Sequence, residues 1–273
     1  MTAPANRAAR RGRLAFSASW KLAAISVASV LAFLALWQIA GTAGWINPLL
    51  LPPLGEVLRT TLDLAENGYR QSSLWHHIGI SVARAGSAFV AAIAIGVPVG
   101  LLMGRTPWLA AVLDPFVQFL RPLPKIALIP LVVVWFGIGE GSKFFLIFIS
   151  TLLSVLVGSA AAVLNVGQQR IRAAATLGAS RHQIFWHVIL PNALPEIFTT
   201  IRLAIGIGWT SLIAAELVAA ESGLGWMVLN AGTYLRTDVV MVGIFLLGLI
   251  GYLFDAALVL LQRRLVPWAG KDA

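Results

Sequence analysis

Cysteine is absent from the 273 residues, which excludes a disulfide framework and every metal site built on thiolates. Charge is scarce as well. Only 11% of the chain is Asp, Glu, Lys or Arg, and the acidic share is the smaller, 11 residues against 20 basic ones. A water-soluble domain carries about 25% charged residues, so this composition cannot supply a solvated surface. Histidine is limited to four residues. His76 and His77 are adjacent and His182 and His187 lie five apart, neither being the i,i+4 spacing that sets two ligands on one helix face, so no metal is expected. Catalytic groupings are missing too. Glu216 and Glu221 have no nucleophile or base placed with them, and no enzyme is expected. The segment GIGEG at 137–141 lacks the strand before and the lysine after that a phosphate loop needs, which makes it a turn between two spans and leaves no nucleotide cofactor for this chain to bind.

What is present is apolar. The chain is 59% hydrophobic with a mean hydropathy of +0.85, the composition of an integral membrane protein of the all-α class. Runs close to the roughly 20 residues needed to cross a bilayer fall at about 22–41, 85–104, 126–139, 144–164, 197–220 and 239–261, six helices in all. The third run is short. The preceding WLAAVLDPFVQFLRPLPKIALIPL is apolar as well, so this span is expected to start before Arg121 and to be broken at Pro122, Pro124 and Pro130. Beside those prolines, Arg121 and Lys125 carry two equal readings, an attractor for an anion or an anchor for the break. Residues 1–20 form a basic tail expected to lack fixed structure, followed by one membrane domain over 21–273 and preceding a first span that serves as an uncleaved anchor. Between the first two spans an amphipathic helix is expected, with Val57, Leu58, Leu62, Leu64 and Ala65 on its apolar face.

The net charge of +9 fits basic loops held on one side of a lipid membrane better than a nucleic-acid partner. With the N-terminus in the cytoplasm, thirteen of the twenty basic residues fall on the cytoplasmic side, among them Arg105, Arg170, Arg172, Arg181, Arg202, Arg263 and Arg264. Five fall outside: Arg59, Arg70, Arg84, Lys143 and Arg236. Both termini are therefore expected to be cytoplasmic.

One stretch interrupts the pattern. AATLGASRHQIFWHVILPNALPEIF, residues 174–198, turns polar and basic between two greasy spans. Good helix formers around Ala173 and Ala174 lead to Gly178, placed as a left-handed cap. Ser180 and Gln183 then have the spacing of a capping box, and Phe185, Val188 and Ile189 give one apolar face until Pro191, where the second helix is expected to end. Two short helices around a glycine turn, with Arg181, His182 and Trp186 on the polar side, have the composition of a docking knob. Packing on the protein's own helices is the competing reading. Further along, Trp209, Thr210, Ser211 and Glu216 lie within an apolar span, where a charge faces either an aqueous path or a structural partner. Gly206, Gly208, Gly243, Gly248, Gly251 and Ala204 are spaced for close helix packing.

The pattern Ala173-Ala174, Gly178 and then Leu190-Pro191 resembles the cytoplasmic loop of the permease subunits of bacterial ATP-binding-cassette importers. LLLPPLGEVL, GVPVGLLMG, LDPFVQFLRPLPKIALIPLVVVWFGIGEGSK and AAELVAAESGLGWMV are similar to the subfamily that carries aliphatic sulfonates, taurine and nitrate. The resemblance implies a type I importer permease of six helices in the bacterial inner membrane, working as a homodimer. It implies two ATPase subunits, holding the ATP and Mg, docked on a coupling loop of about 166–194 through Arg172, Ala173, Ala174, Gly178, Ala179, Arg181, Trp186 and Pro191. It implies an extracytoplasmic binding protein on the opposite side, and a small anion as cargo. A permease for a neutral heterocycle and a stand-alone secondary transporter are the alternatives, the latter lacking the repeated halves such proteins show. One departure stands out: Arg172 occupies the position of the glutamate with which the family begins its loop.

Overall fold

A computed structural model describes residues 5–269. Among them the regular structure is helical, with one isolated bridge between Tyr69 and Ser72. Helix α1 spans Ala5–Thr42, its alanine, arginine and leucine content carrying helix through most of the segment set apart above as a tail; residues 1–4 and 270–273 lie outside the described residues. The amphipathic helix α2 covers Leu54–Asn67. Its buried side is Val57, Thr60 and Leu64, while Leu58 and Leu62 are exposed. The face is thus turned from the expected one, because the hydroxyl of Thr60 donates to Asp238 Oδ2 at 3.0 Å and draws that side inward.

Helix α3 runs over Leu74–Arg105, beginning well before the hydropathy pattern places it. Ser73 caps it, accepting from the His76 amide, and the polar opening turns remain helical because His77, Ser81 and Arg84 find partners inside the protein. The third apolar run is bent, as the prolines imply: α4, Pro107–Leu120, meets the segment Lys125–Phe136 at 93°, that segment being a 3-10 turn at Lys125–Leu128 running into α5, Ile129–Phe136. Lys125 Nζ donates to the carbonyls of Leu120, Arg121 and Leu123 at 2.9, 3.1 and 2.9 Å. Those are carbonyls a broken helix leaves open, so Lys125 serves the anchoring reading.

After α5 come α6, Glu140–Leu164, the loop helices α7, Gln168–Thr176, and α8, Arg181–Ile184, then α9, Leu190–Ala219, α10, Leu224–Thr233, and α11, Thr237–Leu265. Among the described residues, five helices are long and apolar enough to cross a membrane, six if the bent pair counts as one span. The centre of the bundle is α3, α6 and α9, where Ala88, Ile147, Val155, Ala204 and Leu212 are buried. Close approach of α3 to α6 depends on glycine: a Cβ on Gly100 would stand 2.6 Å from the carbonyl oxygen of Leu156, so even alanine forces the helices apart. Among the glycines singled out for packing, Gly208, Gly243 and Gly251 press on Phe89, Val228 and Trp209, whereas Gly206 and Gly248 face open space.

Candidate functional site: a fastened loop and a buried ionic cluster

The loop between α6 and α9 is built by local rules. Helix α7 ends in a Schellman pair, the amide of Ala179 donating to Ala174 O at 3.2 Å and that of Gly178 to Ala175 O at 3.0 Å, with Gly178 at φ 85°. Ser180 and Gln183 complete the capping box in both directions. Pro191 does not end the second helix. A π-turn at Phe185–Ile189 adds a residue ahead of the proline, with Leu190 N–H reaching back to Phe185 O, and Pro191 falls in the first turn of α9, where no intrahelical donor is required. The loop's second half therefore continues into a membrane-spanning helix without a joint.

Its base is fastened. Asn165 Nδ2 donates to Glu196 Oε1 at 2.7 Å, Arg170 Nη1 donates to Asn192 Oδ1, and Trp268 Nε1 donates to Pro191 O at 3.0 Å. Arg105, at the end of α3, stacks its guanidinium on Phe185 at 4.9 Å. The tip is the reverse. Arg172, Ala173, Gly178 and Arg181 are exposed, Ala174, Ala179 and Pro191 half-buried, and Leu177 and Trp186 expose 88% and 50% of their surface. Leu177 carries no signal of its own in the sequence, since one apolar residue before a helix-capping glycine reads as part of the cap. Loss of the Arg105–Phe185 contact through Arg105→Gln is expected to lower the thermal midpoint in detergent by only about 1–3 °C, since an exposed cation–π pair is worth about 0.5–1 kcal/mol.

At the other end of the bundle, α3 presents His77, Ser81 and Arg84 at i, i+4, i+7, one face. Arg84 is 5% exposed at its side chain; its Nε and Nη2 grip Glu140 at 2.6 Å each, and its Nη1 donates to Glu216 Oε1 at 2.8 Å and Ser222 O at 2.7 Å. Lys143 Nζ adds a second cation on Glu140 at 3.0 Å. Glu216 is wholly enclosed. It accepts from Ser81 Oγ at 2.7 Å and from the Gly225 amide at 2.8 Å. Ser81 Oγ in turn accepts from Leu224 N–H at 2.9 Å, and His77 Nδ1 from Gly223 N–H at 3.1 Å. Glu216 and Ser81 thereby satisfy the open amides at the start of α10, where negative charge is favoured.

The four span residues singled out above separate in the structure. Trp209 is buried and donates Nε1 to Leu247 O at 3.2 Å; Ser211 is buried and bonds back to Ile207 O; Glu216 belongs to the cluster; Thr210 alone lies on an exposed stripe of α9. The loop residues are brought together, whereas the path residues are not. Arg84, the cluster's hub, was readable only as a loop charge from the sequence, although the i, i+4, i+7 spacing with His77 and Ser81 was there to find.

Comparison with known proteins gives these two ends a context. Residues 96–268 match the family model described as the binding-protein-dependent transport system inner membrane component. The chain is 46% identical over 248 residues to a taurine transport system permease protein of Escherichia coli (strain K12), covering 90% of each. It is 37% identical to a putative aliphatic sulfonates transport permease protein of the same organism, covering 86% of this chain and 88% of that one. A bicarbonate transport system permease protein of Synechocystis sp. (strain ATCC 27184 / PCC 6803 / Kazusa) is 31% identical, with 87% of each covered. In fold, a chain of the inward-facing MetNI methionine ABC transporter superposes with a TM-score of 0.61 at 22% identity, over 72% of this chain and 99% of that chain. The multi-pass bundle with its capped loop is thus a transport component and not an enzyme, and the chain belongs to the family of binding-protein-dependent transport system inner membrane components, the permeases of ATP-binding-cassette importers.

Proposed function

We propose that this permease imports a small organic oxyanion, taurine or an alkanesulfonate, as a homodimer. Two ATPase subunits, which hold the ATP and Mg, dock on residues 172–191, and an extracytoplasmic binding protein delivers the cargo to the opposite face. The observation that carries the coupling role is the contrast within the loop: a base tied to α3, α9 and the residues after α11, and a tip that leaves Leu177 and Trp186 in solvent. Exposed apolar and aromatic side chains, with Arg172 and Arg181 exposed on the same loop, form an anchor for a partner's cleft. Because α8, the π-turn and α9 are continuous, a push on the tip moves a spanning helix as a rigid lever. The cargo class is supported by the similarity to taurine and sulfonate permeases.

The complete complex in proteoliposomes should take up taurine only with ATP and the binding protein, and ethanesulfonate should compete. Absence of uptake of taurine, ethanesulfonate and nitrate by a complex whose ATPase is active would remove the anion reading. Orientation is tested separately. In intact cells a cysteine at Thr176 should resist an impermeant thiol reagent and one at Ser222 should react; labelling at Thr176 would invert the topology.

A further inference from the structure

Arg202 on α9 and Asp255 on α11 form a two-pronged ion pair, Nε to Oδ1 at 2.7 Å and Nη2 to Oδ2 at 2.9 Å. Their side chains are 35% and 45% exposed, unlike the sealed Arg84–Glu216 pair. Their depth makes this unusual. Asp255 precedes Arg263, in the last turn of α11, by about eight residues, or about 12 Å along the helix. Counted from those basic residues, the pair lies about two turns into the spans from their cytoplasmic end, so Arg202, grouped above with the cytoplasmic basic residues, sits within the span and not in the loop.

Geometry then limits what it faces. A guanidinium offers two forks of donors. Asp255 takes the side-on fork, Nε and Nη2, and the end-on fork, Nη1 with the remaining Nη2 hydrogen, has no partner among the described residues. Half-exposed donors facing lipid tails would each go unsatisfied at high cost, so this edge faces water or a polar partner. The surface beside it carries exposed apolar side chains, Leu203 and Ile207 exposing 68% and 46% of their surface, and one less apolar strip between the turns. Along α9, Arg202, Gly206 and Thr210 follow one another at i, i+4, i+8; Gly206 has nothing within 4 Å of where a Cβ would be, and Thr210 is exposed. Gly206 leaves this strip open, and because the Thr210 hydroxyl donates back to Ile207 O at 2.7 Å, the fork of Arg202 is the donor a passing solute would meet.

We propose that the end-on fork of Arg202, oriented by Asp255, is a transit site inside the path for the oxyanion group of the cargo. This rests on the small-anion reading above. Two parallel N–H donors match two oxygens of a sulfonate or carboxylate. Asp255 offsets the cation's charge, which keeps the hold weak enough for release, as conduction requires. Arg202 is the contact residue, and Asp255 positions it.

The chain's lack of cysteine makes the test direct. In the full complex with its ATPase and binding protein, single cysteines at Leu203 and Gly206 should react with a charged, water-soluble methanethiosulfonate, whatever the cargo. Reaction with only a lipid-soluble maleimide would overturn the proposal. In uptake, Arg202→Gln should fall at least about tenfold, the size of a lost charged hydrogen bond. Arg202→Lys, which keeps the charge and the pairing with Asp255 but not the fork, should fall severalfold, and full uptake by it would show the pair to be a staple between helices. The exchange Arg202→Asp with Asp255→Arg should assemble yet stay low, because the fork then stands on α11; wild-type uptake by it would also overturn the proposal. Transport of only a neutral solute by the unaltered complex, with both cysteines still labelled from water, would instead sink the small-anion reading.

Discussion

Glu216→Ala is expected to cost the protein its place in the membrane, with yield and detergent thermal midpoint collapsing together. The carboxylate is wholly enclosed and faces Arg84, Ser81 and the amide of Gly225. Removal leaves the guanidinium of Arg84 partly uncompensated at 5% exposure and leaves the Gly225 amide, in the first turn of α10, without its acceptor. Breaking a buried pair from one side costs about 3–5 kcal/mol, because the surviving charge has no solvent to turn to. Against a whole stability of about 5–15 kcal/mol that is a large fraction. Glu140 does not rescue the site: its side chain is 60% exposed and already shared by Arg84 and Lys143. Glu216→Gln should be milder, since an amide oxygen still accepts from Ser81 or Gly225 while its NH2 group turns a donor toward donors. The yields and melting curves of the two variants, beside uptake by the purified complex, separate the two roles a carboxylate in a span can have. If Glu216→Ala accumulates and melts like the unaltered protein but no longer transports, Glu216 acts on the cargo path and the pairing is incidental.

How much of this was legible follows the range of the interactions. The loop was readable because its rules are local: Gly178 for the left-handed cap and Ser180 with Gln183 for the box each act within a few residues. The break at Pro122 and Pro124 was readable for the same reason. Glu216 carried two readings because its partners Ser81 and Arg84 come from another helix, more than 130 residues away. The early start of α3 was hidden by the same fact, since a hydropathy window discounts His77, Ser81 and Arg84 before their partners are known. Thr60 turned α2 through a bond to Asp238, also remote. The continuation past Pro191 failed differently. A π-turn is a tertiary accommodation that no propensity scale anticipates, and it places the proline where it is harmless.

Gly178→Val is expected to leave the protein in the membrane at its usual level and to cut ATP-driven uptake by about 5- to 150-fold, a barrier or equilibrium change of about 1–3 kcal/mol. The two halves of that expectation have separate causes. Accumulation is spared because nothing lies within 4 Å of the added Cβ and the residue is exposed, so no core contact is disturbed. Coupling through the proposed docking loop is expected to be lost because φ 85° is a left-handed conformation that a β-branched residue strains to adopt. Relief comes by rotating out of it, which breaks the hydrogen bonds that the Gly178 and Ala179 amides donate to Ala175 O and Ala174 O and re-aims Ser180, the cap of α8. Leu177 and Trp186 then no longer face a partner in one fixed relation. Asparagine tolerates the left-handed region better than other residues with a Cβ, so Gly178→Asn should retain most uptake and Gly178→Ala should fall between the two. A cysteine at Leu177, crosslinked to the ATPase, reports the docking itself: its yield should decline in the order Gly, Asn, Ala, Val alongside uptake. Full uptake by Gly178→Val, or a crosslink yield indifferent to the series, would show that the turn's shape is not what transmits the ATPase's movement to α9.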